Sequence, residues 1–244
     1  MARRRIVLHR PVVWVVGATR GLGREIAKQF AEIGCAVCLS GRNSRQLRSA
    51  AHEIARRGGT AHAFPLDIRN PRAVPSTARK ISKLVGEVDV LVTNAGVTVF
   101  KSFVETSLAE FNDLISTNLV GHINCIKSVL PAMIRRKHGW IINIISNAAV
   151  KTFEESAAYT ATKAGMLGVG RVLREEMREH GVKVVNVIPG AIDTTIWSPR
   201  VRERYGERMM QAKSVAEAVV AAYTMPGDVV VDEIVLRPLL GDLS

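Results

Sequence analysis

From Val12 onward the chain alternates short apolar runs with longer stretches in which apolar residues recur at helical spacing. The strand candidates are Val12–Val16, Ala36–Ser40, Thr60–Pro65, Asp89–Thr93, Trp140–Ser146, Lys183–Ile188 and Val229–Leu236. Between them lie Gly21–Ile33, Ser44–Arg57, Arg72–Leu84, Ser107–Arg136, Ala157–His180 and Ser214–Met225, each with the period of an amphipathic helix. Strands alternating with helices predict an α/β fold, a doubly wound seven-stranded parallel sheet with helices on both faces. No Pro/Ser-rich linker interrupts the pattern, and 244 residues with 47% hydrophobic content suit one domain over residues 12–244.

The first strand leads directly into Gly17-Ala18-Thr19-Arg20-Gly21-Leu22-Gly23, after which the helical period begins. Glycines let the backbone turn sharply and approach a ligand, and the helix presents free N–H groups and its positive dipole end to the same turn. A phosphate site is expected there. The spacing G-x-x-x-G-x-G is neither the common dinucleotide fingerprint nor a P-loop, so a turn that only packs a helix on the sheet stays open at this point. The second strand ends in Ser40-Gly41-Arg42. In a dinucleotide fold an acid at that place accepts from the ribose 2′-hydroxyl of NAD, and an Arg pairs with the 2′-phosphate of NADP. Here Gly41 takes the place of the acid and Arg42 follows, with Arg20 within reach of the same phosphate, or both are ordinary surface arginines. Asp67, at the end of the third run, is placed to cap a turn or to accept from an adenine amino group, and Asn94-Ala95-Gly96 closes the fourth with small residues.

The formal charge of +12 makes anionic partners plausible, but the basic residues are dispersed and aromatics are only 5% of the chain. A solvated basic surface is therefore expected in place of a nucleic-acid groove. Residues 1–11, with Arg3, Arg4 and Arg5, read as a basic tail. Three cysteines and no secretory-type apolar run point to a reduced, cytoplasmic setting. Cys35 and Cys38 have C-x-x-C spacing but fall on a strand, where positions three apart face opposite sides, so they read as core thiols. No membrane span and no catalytic metal are expected, since no long apolar run and no metal-type His or carboxylate cluster appears.

The fifth strand candidate ends with the hydroxyl of Ser146, and thirteen residues on, a helix opens with Tyr159-Thr160-Ala161-Thr162-Lys163. Positions i and i+4 share a helix face, which sets the Lys163 ammonium beside the Tyr159 phenol. A cation there favours phenolate and is expected to pull the phenol pKa below its usual value near 10, giving a proton donor and acceptor near neutral pH. Ser146 is placed to hydrogen-bond a substrate oxygen on which charge changes.

Together these motifs resemble the short-chain dehydrogenase/reductase family, from about Val12 to about Thr195, with the closing strand continuing the match. The family's glycine motif falls on Gly17, Gly21 and Gly23, its aspartate on Asp67, its Asn-Ala-Gly on Asn94 to Gly96, and its Pro-Gly-x-x-x-Thr on Pro189, Gly190 and Thr194. Its Asn-Ser-Tyr-Lys set falls on Asn118, Ser146, Tyr159 and Lys163. The resemblance implies a Rossmann-type fold and an NADP(H)-dependent oxidoreductase interconverting a ketone or aldehyde and an alcohol. Tyr159 would be the acid/base, Ser146 would position the carbonyl, Lys163 would tune Tyr159 and bind the nicotinamide ribose, and Asn118 would hold a relay water. Ile192 and Thr194 would contact the carboxamide, and the cofactor contacts also take in Thr19, Arg20, Leu22, Arg42, Ile68 and Ala95. Read without the family, Asn118 is a polar helix residue satisfied against its own turn.

Two departures stand out: Val16 replaces a usual Thr and Thr93 a common Asn, each removing a local hydrogen bond worth about 1 kcal/mol. Residues 195–213 read as a mobile substrate lid or a surface-packed helix. A homo-oligomer, tetramer or dimer, with a small-molecule substrate is what the resemblance implies. The alternative functions are a catalytically silent NADPH-binding regulatory protein, against which the complete tetrad argues, and a nucleic-acid binder suggested by charge alone.

Overall fold

The computed structural model describes residues 10–242, so most of the expected basic tail lies outside the described residues. Seven strands form one sheet: β1 (Val12–Val16), β2 (Ala36–Gly41), β3 (Thr60–Pro65), β4 (Val90–Thr93), β5 (Gly139–Ile144), β6 (Val182–Pro189) and β7 (Glu233–Leu236). All neighbours pair in parallel, in the order β3-β2-β1-β4-β5-β6-β7. The order reverses between β1 and β4, which opens a crevice at the carboxyl edge of the sheet.

Every residue of β1 is buried, and the two-residue period of a strand splits them between two cores. Val13 and Val15 pack with α1 (Gly21–Glu32), α2 (Ser44–Arg56) and α8 (Ala212–Tyr223) on one face. Val12, Trp14 and Val16 pack on the other, with α3 (Ala73–Leu84), α5 (Gly121–Arg136) and α6 (Ala157–Met177). Each fully buried Val or Leu contributes about 1.5–3 kcal/mol relative to exposure. A tryptophan is tolerated in the middle of β1 because its indole N–H donates to Ser40 Oγ at 2.9 Å. Cys35 and Cys38 are both buried and unpaired, and they sit in opposite cores as strand periodicity requires.

Where the elements differ from the sequence pattern, local polar chemistry accounts for it. Asp89 precedes β4, because its carboxylate accepts from Val12 N at 2.8 Å and pairs with Arg136 at 3.3 Å. β7 begins four residues later than expected. The carbonyl of Val229 accepts from Lys183 Nζ at 2.9 Å, and that of Asp232 from Arg174 Nη2 at 2.7 Å as well as from Asn186 N at 3.1 Å. The long stretch Ser107–Arg136 is α4 (Leu108–Ile115), a π-helical turn over Ser116–Val120, and α5. Ser107 and Glu110 close a reciprocal capping box at its start. Thr93 does not lose its hydrogen bond: its hydroxyl donates to Asn143 Oδ1 at 2.9 Å, and Asn143 Nδ2 donates to Asn186 Oδ1 at 3.1 Å. These three residues stand in register across β4, β5 and β6, forming a buried polar rung.

Candidate active site

Because all seven strands run the same way, the turns that follow them emerge at one edge and line a single cavity of about 540 Å³. Its wall follows strand order. Gly17, Thr19, Arg20, Gly21 and Leu22 come from the turn after β1, Gly41 and Arg42 from β2, and Asp67 and Ile68 from the segment after β3. Asn94, Ala95 and Gly96 follow β4, Ser146 follows β5, Tyr159 and Lys163 come from α6, Pro189 ends β6, and Gly190, Ile192 and Thr194 follow it.

The turn after β1 is built around Gly17, whose φ is +87° and whose position would drive a Cβ to 2.5 Å from Ala95 Cα. Asn94 Nδ2 donates to Gly17 O at 2.9 Å, so its amide supports the turn. Gly23 does not line the cavity. A Cβ there would stand 2.3 Å from Gly17 O, so Gly23 serves the close packing of α1 beneath the turn. The N-terminus of α1 carries no acidic residue in its first turn, leaving its dipole to an outside anion. Arg20 and Arg42 are exposed on the cavity wall, and among the described residues neither is in an ion pair. Asp67 is more committed than its sequence position suggested. Arg69 grips both carboxylate oxygens, with Nη2 to Oδ2 at 2.6 Å, and holds the carboxyl below its usual pKa.

At the other end Ser146 lies beyond β5, which stops at Ile144, and caps a short 3₁₀ turn by accepting from Ala148 N at 3.2 Å. Lys163 is buried and donates to Ile144 O at 2.9 Å, with its ammonium 5.7 Å from the centre of the Tyr159 ring. Burial pushes the Lys163 pKa down to about 8. The Tyr159 phenol moves up, contrary to the expectation from the Lys163 charge, because burial outweighs the opposing hydrogen bond with Ser146. Asn118 sits inside the π-helical turn, fully buried and outside the cavity lining. Its Oδ1 accepts from Val97 N at 2.9 Å, and its Nδ2 donates to Val97 O at 2.8 Å and to Thr162 Oγ1 at 3.2 Å. The amide is thus engaged across the crevice, not on its own turn.

Phe100, His122 and Asp242 carry no signal in the sequence, whereas Trp197 falls in the expected lid segment. Phe100 stacks on Trp197 with centroids 5.3 Å apart and rings 3° from parallel, and lies 6.5 Å from Tyr159. Trp197 is fixed by donating Nε1 to Ile192 O at 3.0 Å. The segment after β6 contains α7 (Pro199–Tyr205), which Ser198 caps and Pro199 opens, a start signal legible in Ser-Pro order. Its two ends are joined by a parallel bridge between Ile192 and Met210, and Arg202 pairs with Asp193 at 2.6 Å. His122, the second residue of α5, is fully buried, and neither ring nitrogen has a well-formed hydrogen bond among the described residues. Asp242, from the end of the chain, also reaches the cavity wall. No periodicity or local motif marks either one. Among the described residues, no group of His, Cys, Asp and Glu is placed to hold a metal ion, and no helix is long and apolar enough to cross a membrane.

A Gly-rich turn under a helix N-terminus and a Ser, Tyr and Lys group thus share one sheet edge. The family model described as short chain dehydrogenase matches residues 11–204, and the chain belongs to that family of oxidoreductases. An uncharacterized oxidoreductase of Staphylococcus aureus (strain MW2) is 30% identical over 236 residues, spanning 96% of this chain and 99% of its own. A metagenomic short-chain oxidoreductase solved in complex with NADP is 33% identical with a TM-score of 0.83, over 93% of this chain and 96% of that one. An alcohol dehydrogenase from the archaeon Thermococcus sibiricus, complexed with 5-hydroxy-NADP, is 28% identical with a TM-score of 0.88, over 97% and 100% respectively.

Proposed function

We propose that this oxidoreductase uses NADP(H) to interconvert a ketone or aldehyde and the corresponding alcohol. The observation that carries the reading is the convergence of Ser146, Tyr159 and Lys163 on one wall of a cavity whose other wall is the Gly17–Gly23 turn. The residues fit a dinucleotide. Gly17 packs against Ala95 too closely for any side chain and keeps the turn bare, the α1 N-terminus has no acid of its own, and β2 ends in Gly41, followed by Arg42, with no carboxylate to repel a 2′-phosphate. Gly21 and Leu22 would hold the pyrophosphate side, Arg20 and Arg42 the 2′-phosphate, Ile68 the adenine side, and Ile192 and Thr194 the nicotinamide. When bound, the nicotinamide would supply or accept the hydride.

The chain's own groups handle the proton. Tyr159 gives its phenolic hydrogen to the carbonyl oxygen as that oxygen gains charge, and recovers it in the oxidative direction. Ser146 donates a hydrogen bond to the same oxygen. Lys163, still mostly protonated at pH 7 with a pKa of about 8, lowers the cost of the phenolate left behind. Phe100 and Trp197 give the substrate end an aromatic wall.

The test is NADPH oxidation over a diverse carbonyl panel, followed by Tyr159→Phe on the best substrate. The expected loss in kcat is about 10²–10⁴-fold with NADPH binding retained. Near wild-type turnover by the variant would refute the mechanism.

A further inference from the structure

Resting on the reading of Ser146 as the carbonyl-positioning hydroxyl, we propose that Asp242 is a positioning residue that orients Ser146 through Asn147. The path to it is built from the end of the sheet. Beyond β7, Arg237 anchors the chain by donating Nη1 to Ile188 O at the end of β6, at 3.0 Å. Residues 238–241 then reverse direction in a tight turn, with Gly241 N donating to Pro238 O at 2.9 Å and Gly241 at a φ of +84°. The turn delivers Asp242 back over the site. Gly190 makes room for it, since a Cβ there would meet Pro238 Cδ at 2.9 Å and Asp242 Oδ1 at 3.3 Å.

The Asp242 side chain is only 15% exposed. One of its oxygens accepts from Asn147 Nδ2 at 2.7 Å and the other from Lys151 Nζ at 3.0 Å, with Arg237 Nε a further 3.9 Å away. An ionised carboxylate has no hydrogen to give, so the Asn147 amide is obliged to turn its NH₂ toward Asp242. Its carbonyl oxygen is thereby left facing Ser146 Oγ, at 3.3 Å. Two acceptor oxygens cannot pair without a hydrogen between them, so the Ser146 hydroxyl points at Asn147, its oxygen accepting from the Tyr159 phenol, until a substrate oxygen offers a better acceptor. With Asp242 removed, the amide is free to flip, and its NH₂ would then compete for the lone pairs of Ser146. Misplacing a group that touches the reacting atoms is felt in the chemical step more than in binding.

The experiment measures kcat, carbonyl KM and NADPH Kd for Asp242→Ala, Asp242→Asn, Asn147→Ala and the Asp242→Ala/Asn147→Ala double variant. Asp242→Ala is expected to lower kcat about tenfold while carbonyl KM and NADPH Kd stay within about twofold. Asp242→Asn, which keeps an acceptor oxygen for Asn147, is expected to recover most of the loss. In the double variant Asp242→Ala should add nothing to Asn147→Ala, since both act through one chain of contacts. Wild-type kcat in Asp242→Ala, or losses that multiply in the double variant, would overturn the proposal. Amide exchange over residues 146–151 gives a readout that needs no substrate, and Asp242→Ala should accelerate it at Ala148, whose N–H rests on Ser146 Oγ. If the wild type binds NADPH but reduces no carbonyl, the functional reading fails, and unchanged exchange in Asp242→Ala then rejects the positioning role as well.

Discussion

His122 is a histidine where the fold offers it almost nothing to bond. It is fully buried, and burial together with the nearby Lys163 ammonium pushes its pKa down to about 3. In the unfolded chain the same imidazole takes up a proton near pH 6.5. Between those values the unfolded state binds the extra proton, so this group's share of stability is complete at neutral pH and is lost as pH falls toward 3. One such group costs about 2 kcal/mol on going from pH 7 to pH 5. His122→Leu removes the titration from both states. Urea unfolding at the two pH values should therefore show about 2 kcal/mol less acid sensitivity in the variant than in wild type, whatever its stability at pH 7. Equal acid sensitivity would show that His122 finds a partner that holds its proton. Lys163 titrates in the same sense at higher pH: its lowered pKa means that the cost of burying its charge is present below pH 8 and is relieved as pH rises toward 10.5.

At the scale of elements, the π-helical turn between α4 and α5 joins the helix layer to the crevice. A regular helix satisfies its own backbone, but here Asn118 crosses to the loop after β4 and pairs both backbone polar groups of Val97. Asn118→Ala leaves that N–H and carbonyl without protein partners in a partly buried place, at a cost of about 2–4 kcal/mol. Urea denaturation should show the loss, and a change below about 0.5 kcal/mol would mean that water or a backbone shift repairs the site. The example also marks the limit of what could be read from the sequence. The strand runs, the glycine turn and the Tyr-Lys spacing are local and periodic, and the structure gathers the residues they identify on one cavity, Gly23 and Asn118 excepted. The π-helical turn left no trace in a pattern that reads as one helix from Ser107 to Arg136, and the contact it carries, with Val97, lies outside that stretch. Asp242 and Phe100 were invisible for the same reason. Only tertiary neighbours distinguish them from any other acid near a chain end or any other loop phenylalanine.

The whole molecule carries a formal charge of +12, and its distribution decides what that charge does. Many of the arginines are balanced locally: Arg24 by Glu53, Arg171 by Glu233, Arg178 by Glu175, Arg202 by Asp193. Arg20 and Arg42, exposed on the cavity wall, are in no ion pair among the described residues, and so their field acts on whatever enters that end of the cavity. Screening weakens exposed charges beyond about 8–10 Å at physiological salt, so affinity that depends on them has to fall as salt rises. NADPH differs from NADH by a 2′-phosphate, which adds about −1.5 to −2 charges at neutral pH. If Arg42 holds that phosphate, NADPH affinity should weaken several-fold between about 20 and 200 mM salt while NADH affinity changes much less. Arg42→Ala should raise the NADPH Kd about tenfold at low salt, the scale of one lost charge-assisted contact, and bring the NADPH slope close to that of NADH. Fluorescence titration of both nucleotides at each salt concentration measures all four slopes. Parallel slopes for the two nucleotides in wild type would place the 2′-phosphate away from both arginines and refute the basis for preferring NADPH.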